Sequence, residues 1–194
     1  MSESVISIKK EAIYAAAARL FQEKGYSATS MRELAAAVGL EASSLYSHIS
    51  SKADLLDHIC FHAAHRFTEG MQVITATRVR PIEQIRTLLD LHMTIALEDP
   101  TSQTVFNDEW RHLPEERLIA FRSLRKQYEQ DFLSLIERAQ QAGEIRAMEP
   151  RLVLLTLLSA LRWLYVGKGL NKRMKPTDIK SQMATFLMHG LTPE

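Results

Sequence analysis

Between Gly39 and Lys52 the chain reads GLEASSLYSHISSK, with five serines, a tyrosine, a histidine and a lysine, and too little apolar content to bury itself. Ser43, Ser44 and Ser47 are short hydroxyls that donate or accept at close range, while Tyr46, His48 and Lys52 carry donors on longer arms. This is the chemistry of contact with an external polar surface. A second group, His58, His62 and His65, recurs at i, i+4 and i+7, a spacing able to gather metal ligands. No carboxylate or thiol shares that face convincingly, and a solvated helix carrying histidines is the commoner case, so no metal is expected. No Ser-His-Asp or Cys-His order, glycine-rich phosphate loop or pair of carboxylates stands out, and the chain is not expected to be an enzyme.

The elements that must position these groups are helices. No window alternates with period two, and β-branched residues are scattered. Ile13, Ala17, Leu20 and Phe21 predict a first amphipathic helix over residues 8–24, stopped by Gly25. Ser30 followed by Glu33 is a capping box that opens a second, ended by Gly39. In the short helix that follows, Leu45 and Ile49 are the only positions that look buried, and Ser51 with Asp54 opens a fourth. Further on, Pro81, Pro100, Pro114, Pro150 and Pro176 each begin or separate helices, the position where a missing N–H costs nothing. The expectation is an all-α chain.

Two helices joined by a tight glycine turn, the second short and polar outside, make a helix-turn-helix. Leu45 and Ile49 seat the second helix, and its remaining surface suits a groove lined with hydrogen-bonding groups. Small hydroxyls approach base edges closely, and the longer donors reach phosphate oxygens. Double-stranded DNA is the expected partner.

Composition is that of a globular protein: 46% of the 194 residues are apolar and 24% charged. A net charge of +1 exerts no overall pull on nucleic acid, so any DNA contact must use a few well-placed donors. The longest apolar run, residues 152–166, is broken by Thr156, Ser159 and Arg162 and falls short of the roughly 20 residues a bilayer span needs. No membrane association and no secretory leader are expected. The single cysteine, Cys60, fits a reducing cytoplasm. Basic residues concentrate near the C-terminus, where Arg162, Lys168, Lys172, Arg173, Lys175 and Lys180 face only Asp178; residues 168–175 read as a solvated loop.

The stretch GYSATSMRELAAAVGLEASSLYSHISSKADLL, residues 25–56, resembles the DNA-binding domain of the TetR family of bacterial transcriptional repressors. The likeness rests on Gly-Tyr after the first helix, Thr-Ser opening the second, Ala-x-x-x-Gly at the turn, Leu-Tyr-x-His in the recognition helix and Ser-Lys opening the fourth. It implies a three-helix DNA-binding domain over residues 1–52 and a larger helical domain over 53–194 for ligand binding and dimerisation. By the same resemblance Thr29, Ser30, Tyr46, His48 and Lys52 would hold the phosphate backbone, and Ala42, Ser43, Ser44 and Ser47 would face the bases. The sequence departs from the pattern at Glu41, where a small capping residue is usual, and at Ile49, where an aromatic often follows the histidine. With no Arg or Asn on the recognition face, modest direct readout helped by DNA shape is expected.

Residues 107–146, with Glu-Trp-Arg at 109–111, Arg125 with Tyr128, and Gly-Glu-Ile-Arg at 143–146, are similar to a TetR subgroup that responds to acyl-CoA thioesters. Such an effector needs an apolar tunnel and cations for its phosphates. Met93, Phe106, Trp110, Phe121, Tyr128 and Trp163 are the candidates for the tunnel, and Arg111, Arg122, Arg125 and Arg162 for the phosphates. A lipophilic drug or metabolite needs only the tunnel and is the alternative; a helical interaction protein without DNA binding is the alternative of another class. No cofactor is expected. Apolar surface on residues 150–166 and on Ile179, Met183, Phe186 and Leu187 exceeds one monomer's needs, which points to a homodimer closed by a four-helix interface.

Overall fold

The computed structural model describes residues 2–166 and 173–193, with side chains from residue 9 onward. Of the basic stretch 168–175, residues 168–172 lie outside the described residues. Among those described there are nine α-helices, one short 3-10 helix and no strand. The α-helices are α1 (Ser2–Lys24), α2 (Met31–Ala37), α3 (Ala42–Tyr46), α4 (Lys52–Thr75), α5 (Pro81–Glu98), α6 (Pro100–Asp108), α7 (Glu115–Gln141), α8 (Pro150–Val166) and α9 (Pro176–Leu191). The 3-10 helix, Trp110–His112, had no signal in the apolar periodicity. No described helix is long and apolar enough to cross a membrane.

Local chemistry accounts for most boundaries. Gly25 (φ +84°) and Gly39 (φ +68°) end α1 and α2 in the left-handed region that a side chain rarely adopts. The Ser30 capping box forms in both directions: Ser30 Oγ accepts from the Glu33 N–H (3.2 Å), and the Ser30 N–H donates to the Glu33 carboxylate (2.9 Å). At the head of α4, Ser51 Oγ accepts from the Asp54 N–H at 3.1 Å. Pro81 and Pro176 occupy the first turns of α5 and α9. Two expectations shift. Helix α1 starts at Ser2 instead of residue 8, and α3 ends at Tyr46, leaving Ser47 and His48 in the turn behind it.

The chain packs into two compact units. The first takes the residues up to Ala64 together with Thr101–Arg122, and the second takes His65–Pro100 and Ser123–Glu194. Helices α4 and α7 therefore each begin in the first unit and end in the second. In the first unit Ile13, Ala17, Phe21, Leu34, Leu45 and Leu55 form a buried core under the helix-turn-helix. Burying each large apolar side chain contributes about 1.5–3 kcal/mol.

In the second unit α5 packs against α8 and α9, with Leu88, Leu89, Phe132, Leu135 and Leu161 buried in its core. Gln84 is buried there but fully engaged. Its Nε2 donates to Thr77 O at 2.9 Å, and its Oε1 accepts from Arg138 at 3.0 Å, which ties the α4–α5 turn to α7.

Candidate nucleic-acid interface

The first unit presents α3 on a rigid seat. Leu45 is 0% exposed and Ile49 5%, so one edge of the segment is anchored. Its other positions turn outward: Ser43, Ser44, Tyr46 and Ser47 are exposed, and Ala42 and His48 are half-buried. Ser47 Oγ donates to Ser44 O at 2.7 Å, a bond that folds its hydroxyl back onto the helix end. Glu41 occupies the N-cap position without a side-chain capping bond and is exposed, so its carboxylate is held by nothing within the helix it precedes. The outward face of α3 is thus small, hydroxyl-bearing and uncharged, a surface able to enter a groove and exchange hydrogen bonds at close range.

The residues expected to hold the phosphate backbone fall into two kinds. Ser30 is exposed at the head of α2, where its hydroxyl shares the capping box. Thr29 is different: it is 2% exposed, and its hydroxyl donates to Gly25 O at 2.9 Å. The side chain closes the α1–α2 turn from inside and is not placed to meet an external phosphate. Lys52 is half-buried, and its ammonium donates to Tyr26 O and Thr29 O at 2.8 Å each, with Ser27 O at 3.5 Å. It also lies over the Tyr26 ring, 4.3 Å from the centroid. A phosphate oxygen would have to compete with these acceptors, because three N–H groups are all that a lysine has.

Sequence reasoning missed the supports around this loop. Tyr26 packs edge-on against Phe21 and stacks on His112, whose centroid is 5.3 Å away. Lys24 bonds to Glu33 at 2.7 Å; together with the Ser30 N–H it holds the Glu33 carboxyl down at about 2. Arg117 of α7 pairs with Asp57 of α4 through two hydrogen bonds, and its guanidinium lies 3.8 Å from the Phe61 ring centroid. The only advance signal was the Gly-Tyr pair.

The three histidines do not converge. His58 stacks on Tyr14 with centroids 3.6 Å apart, and burial followed by the neighbouring His62 lowers its pKa. His62 and His65 are exposed, and no group of three metal-ligating side chains occurs among the described residues. Cys60 is buried, and that burial pushes its thiol up to about 12, so it carries no reactive thiolate.

The effector candidates divide between the units. In the first, Trp110 stacks on Phe121 (5.8 Å), Phe106 meets Phe121 edge-on (5.5 Å), and the guanidinium groups of Arg111 and Arg122 lie over Trp110 at 4.7 and 5.7 Å. In the second lie Met93, Arg125, Tyr128, Arg162 and Trp163. Met93 and Phe121 are 0% exposed and so belong to packed core, not to the wall of an open tunnel. Arg162 and Trp163 are exposed on α8. Tyr128 bonds to a residue that sequence reasoning passed over, His92, at 2.5 Å. A groove of about 810 Å³ runs along α8 and α9, lined by Leu152, Leu157, Thr185, Phe186 and Leu191 among others, and includes none of the effector candidates. Lys180, from the basic group near the C-terminus, is paired with Asp90 at 2.8 Å.

Comparison with known proteins gives these features a common context. Residues 13–59 match the model for bacterial regulatory proteins of the tetR family, and residues 78–191 match the tetracyclin repressor-like C-terminal domain. The HTH-type transcriptional repressor KstR2 of Rhodococcus jostii is 25% identical over 181 residues, spanning 90% of this chain and 87% of the relative. The structure of the ketosteroid transcriptional regulator KstR2 of Mycobacterium tuberculosis superimposes with a TM-score of 0.88 at 20% identity, covering 96% of each chain. AibR, crystallised with isovaleryl coenzyme A and operator DNA, gives 0.79 at 25% identity over 93% of this chain and 98% of its own. With an N-terminal helix-turn-helix, a helical C-terminal region and both family models matched, the chain belongs to the TetR family of bacterial transcriptional regulators, which are not enzymes.

Proposed function

We propose that the protein is a homodimeric repressor that binds a pseudo-palindromic operator and is released by a small-molecule effector, an acyl-CoA thioester. The observation carrying the DNA half of this reading is the exposed, uncharged hydroxyl face of α3 seated on buried Leu45 and Ile49. In this reading Ala42, Ser43, Ser44 and Ser47 meet base edges, while Ser30, Tyr46 and His48 orient the backbone and Lys52, held by Tyr26 O and Thr29 O, braces the loop ahead of α2. Half-sites lie about one helical turn apart, since a two-fold dimer places two copies of α3 in successive major grooves.

The dimer is supported by α8 and α9. Leu152, Leu155, Trp163 and Val166 of α8 and Phe186 of α9 are exposed large apolar side chains, and Phe186 is 79% exposed. Apolar surface collected on two adjacent helices is what a four-helix interface about a two-fold axis buries.

The acyl-CoA reading is supported by AibR, whose complex contains isovaleryl coenzyme A and operator DNA and whose fold matches nearly the whole chain. Release follows because α4 and α7 each carry residues of both units, so a ligand that shifts them changes the position of α3. Coupling of this kind is about 1–3 kcal/mol and reciprocal: effector weakens operator binding by the factor that operator weakens effector binding.

The test is a gel shift with the DNA upstream of the protein's own gene, followed by calorimetry of acyl-CoAs, matching free acids and uncharged lipophiles with and without that DNA. Acyl-CoA binding with matched loss of operator affinity is the expected result. Binding of uncharged lipophiles alone establishes the lipophilic-effector reading, and a folded dimer that binds no duplex at low salt overturns the repressor altogether.

A further inference from the structure

Three helices of the second unit bring four rings together. His92 of α5 stacks on Phe67 of α4 with centroids 4.6 Å apart; both lie beside Tyr128 of α7, and His92 and Tyr128 lie beside Phe132. The only polar atoms these rings carry are the imidazole nitrogens and the phenol oxygen, and His92 Nε2 lies 2.5 Å from the Tyr128 hydroxyl. Both residues are largely buried, and each keeps some surface that a water-sized probe reaches. That residual surface is where a ligand atom would touch the pair. Burial alone displaces the two groups from their ordinary titration, lowering His92 to about 4 and raising Tyr128, with no charged neighbour contributing. The pair is therefore neutral around pH 7.

Its proton count is fixed. A neutral imidazole carries one N–H and a phenol one O–H, and one of these two hydrogens is spent on the bond between them. If Tyr128 donates to Nε2, the Nδ1–H remains; if His92 donates from Nε2, the phenol O–H remains. Either tautomer leaves one donor and no net charge. A carbonyl oxygen matches that arrangement, because it needs one donor and brings no charge into an aromatic enclosure. A carboxylate does not match, because its full charge would enter with one donor and no cation.

We propose that His92 and Tyr128 are the polar anchor of the effector site, holding the single carbonyl oxygen of a thioester or ketone and discriminating against the free acid. This rests on the effector-released repressor proposed above and names the function that its ligand must carry. It also places the discrimination at the acyl carbonyl, independently of any arginine that holds phosphate.

The experiment removes only the carbonyl from the ligand. Isovaleryl-CoA and its thioether counterpart, in which the C=O is replaced by CH₂, are titrated into the purified protein by calorimetry. A steroid ketone and its deoxo counterpart form a second pair. The carbonyl compound of at least one pair is expected to bind about tenfold more tightly than its counterpart, the worth of one hydrogen bond in a dry site. In Tyr128→Phe and His92→Gln that ratio is expected to shrink toward one. Because it is taken within one variant, it is insensitive to a general loss of folded protein, which thermal melting tracks separately. Tight but equal binding of both members of a pair to the wild type overturns the anchor and leaves the effector-released repressor standing. The same ratio in wild type and Tyr128→Phe also overturns the anchor. Failure of every acyl-CoA, ketone and counterpart to bind the wild type defeats both readings together.

Discussion

Replacing Lys52 by methionine removes one ammonium while keeping an apolar stem of similar length. In the structure that ammonium donates two 2.8 Å hydrogen bonds to Tyr26 O and Thr29 O and covers the Tyr26 ring. Hydrogen bonds to a charged group contribute about 1.5–3 kcal/mol each, and a cation over an aromatic face about 0.5–1 kcal/mol. Two features reduce the sum. Lys52 is only half-buried, so water screens it, and Tyr26 O keeps the Thr29 N–H as a second donor at 3.2 Å. About 2 kcal/mol is the expected net loss. For a chain of this size that lowers Tm by about 4–8 °C, measured at one protein concentration because the proposed dimerisation would shift the midpoint. Operator affinity should fall on all sequences, since the loop ahead of α2 loses its tie to α4, while the slope of log K against log salt should stay unchanged. A wild-type Tm combined with a slope smaller by about one would refute this reasoning and assign the lysine to a phosphate.

Thr29→Val keeps the shape of a buried residue but deletes the hydroxyl that reaches Gly25 O, and is expected to cost about 1 kcal/mol in urea unfolding. Phe186→Arg places a charge at the most exposed large apolar position of α9; it is expected to shift the proposed dimer toward monomer in sedimentation velocity, and an unchanged mass would count against an α8–α9 interface. His92 is lowered to about 4 by burial from an ordinary value near 6.5, so below that ordinary value the unfolded chain takes up the proton more readily than the folded one. Its contribution to stability is complete above about pH 6.5 and is lost as pH falls toward 4, by up to about 3 kcal/mol, so the urea midpoint of wild type should fall relative to that of His92→Gln between pH 7 and pH 4.

What could be read without coordinates was whatever depends on neighbours within about one helical turn. The Ser30 box, the proline starts of α5, α8 and α9, and the glycine ends of α1 and α2 are local energetic facts, and the structure has them where the chain predicts them. The seating of α3 on Leu45 and Ile49 was legible for the same reason, since two apolar positions four apart leave little choice of buried edge.

Tertiary structure alone decided the rest. Whether a lysine faces a ligand or three carbonyls 23 to 26 residues away is a question of competing acceptors, which spacing does not encode. The hydroxyl of Thr29 likewise turns inward because Gly25 O, freed where α1 ends, is within reach. Asp57 with Arg117 and His92 with Tyr128 lie 60 and 36 residues apart, and a histidine between Leu91 and Met93 reads as one more residue on a helix until α4 and α7 close around it. Periodicity marks which face of a helix is buried, but only the packing of other helices against that face determines whether a polar group on it meets water, a partner or an enclosed ligand.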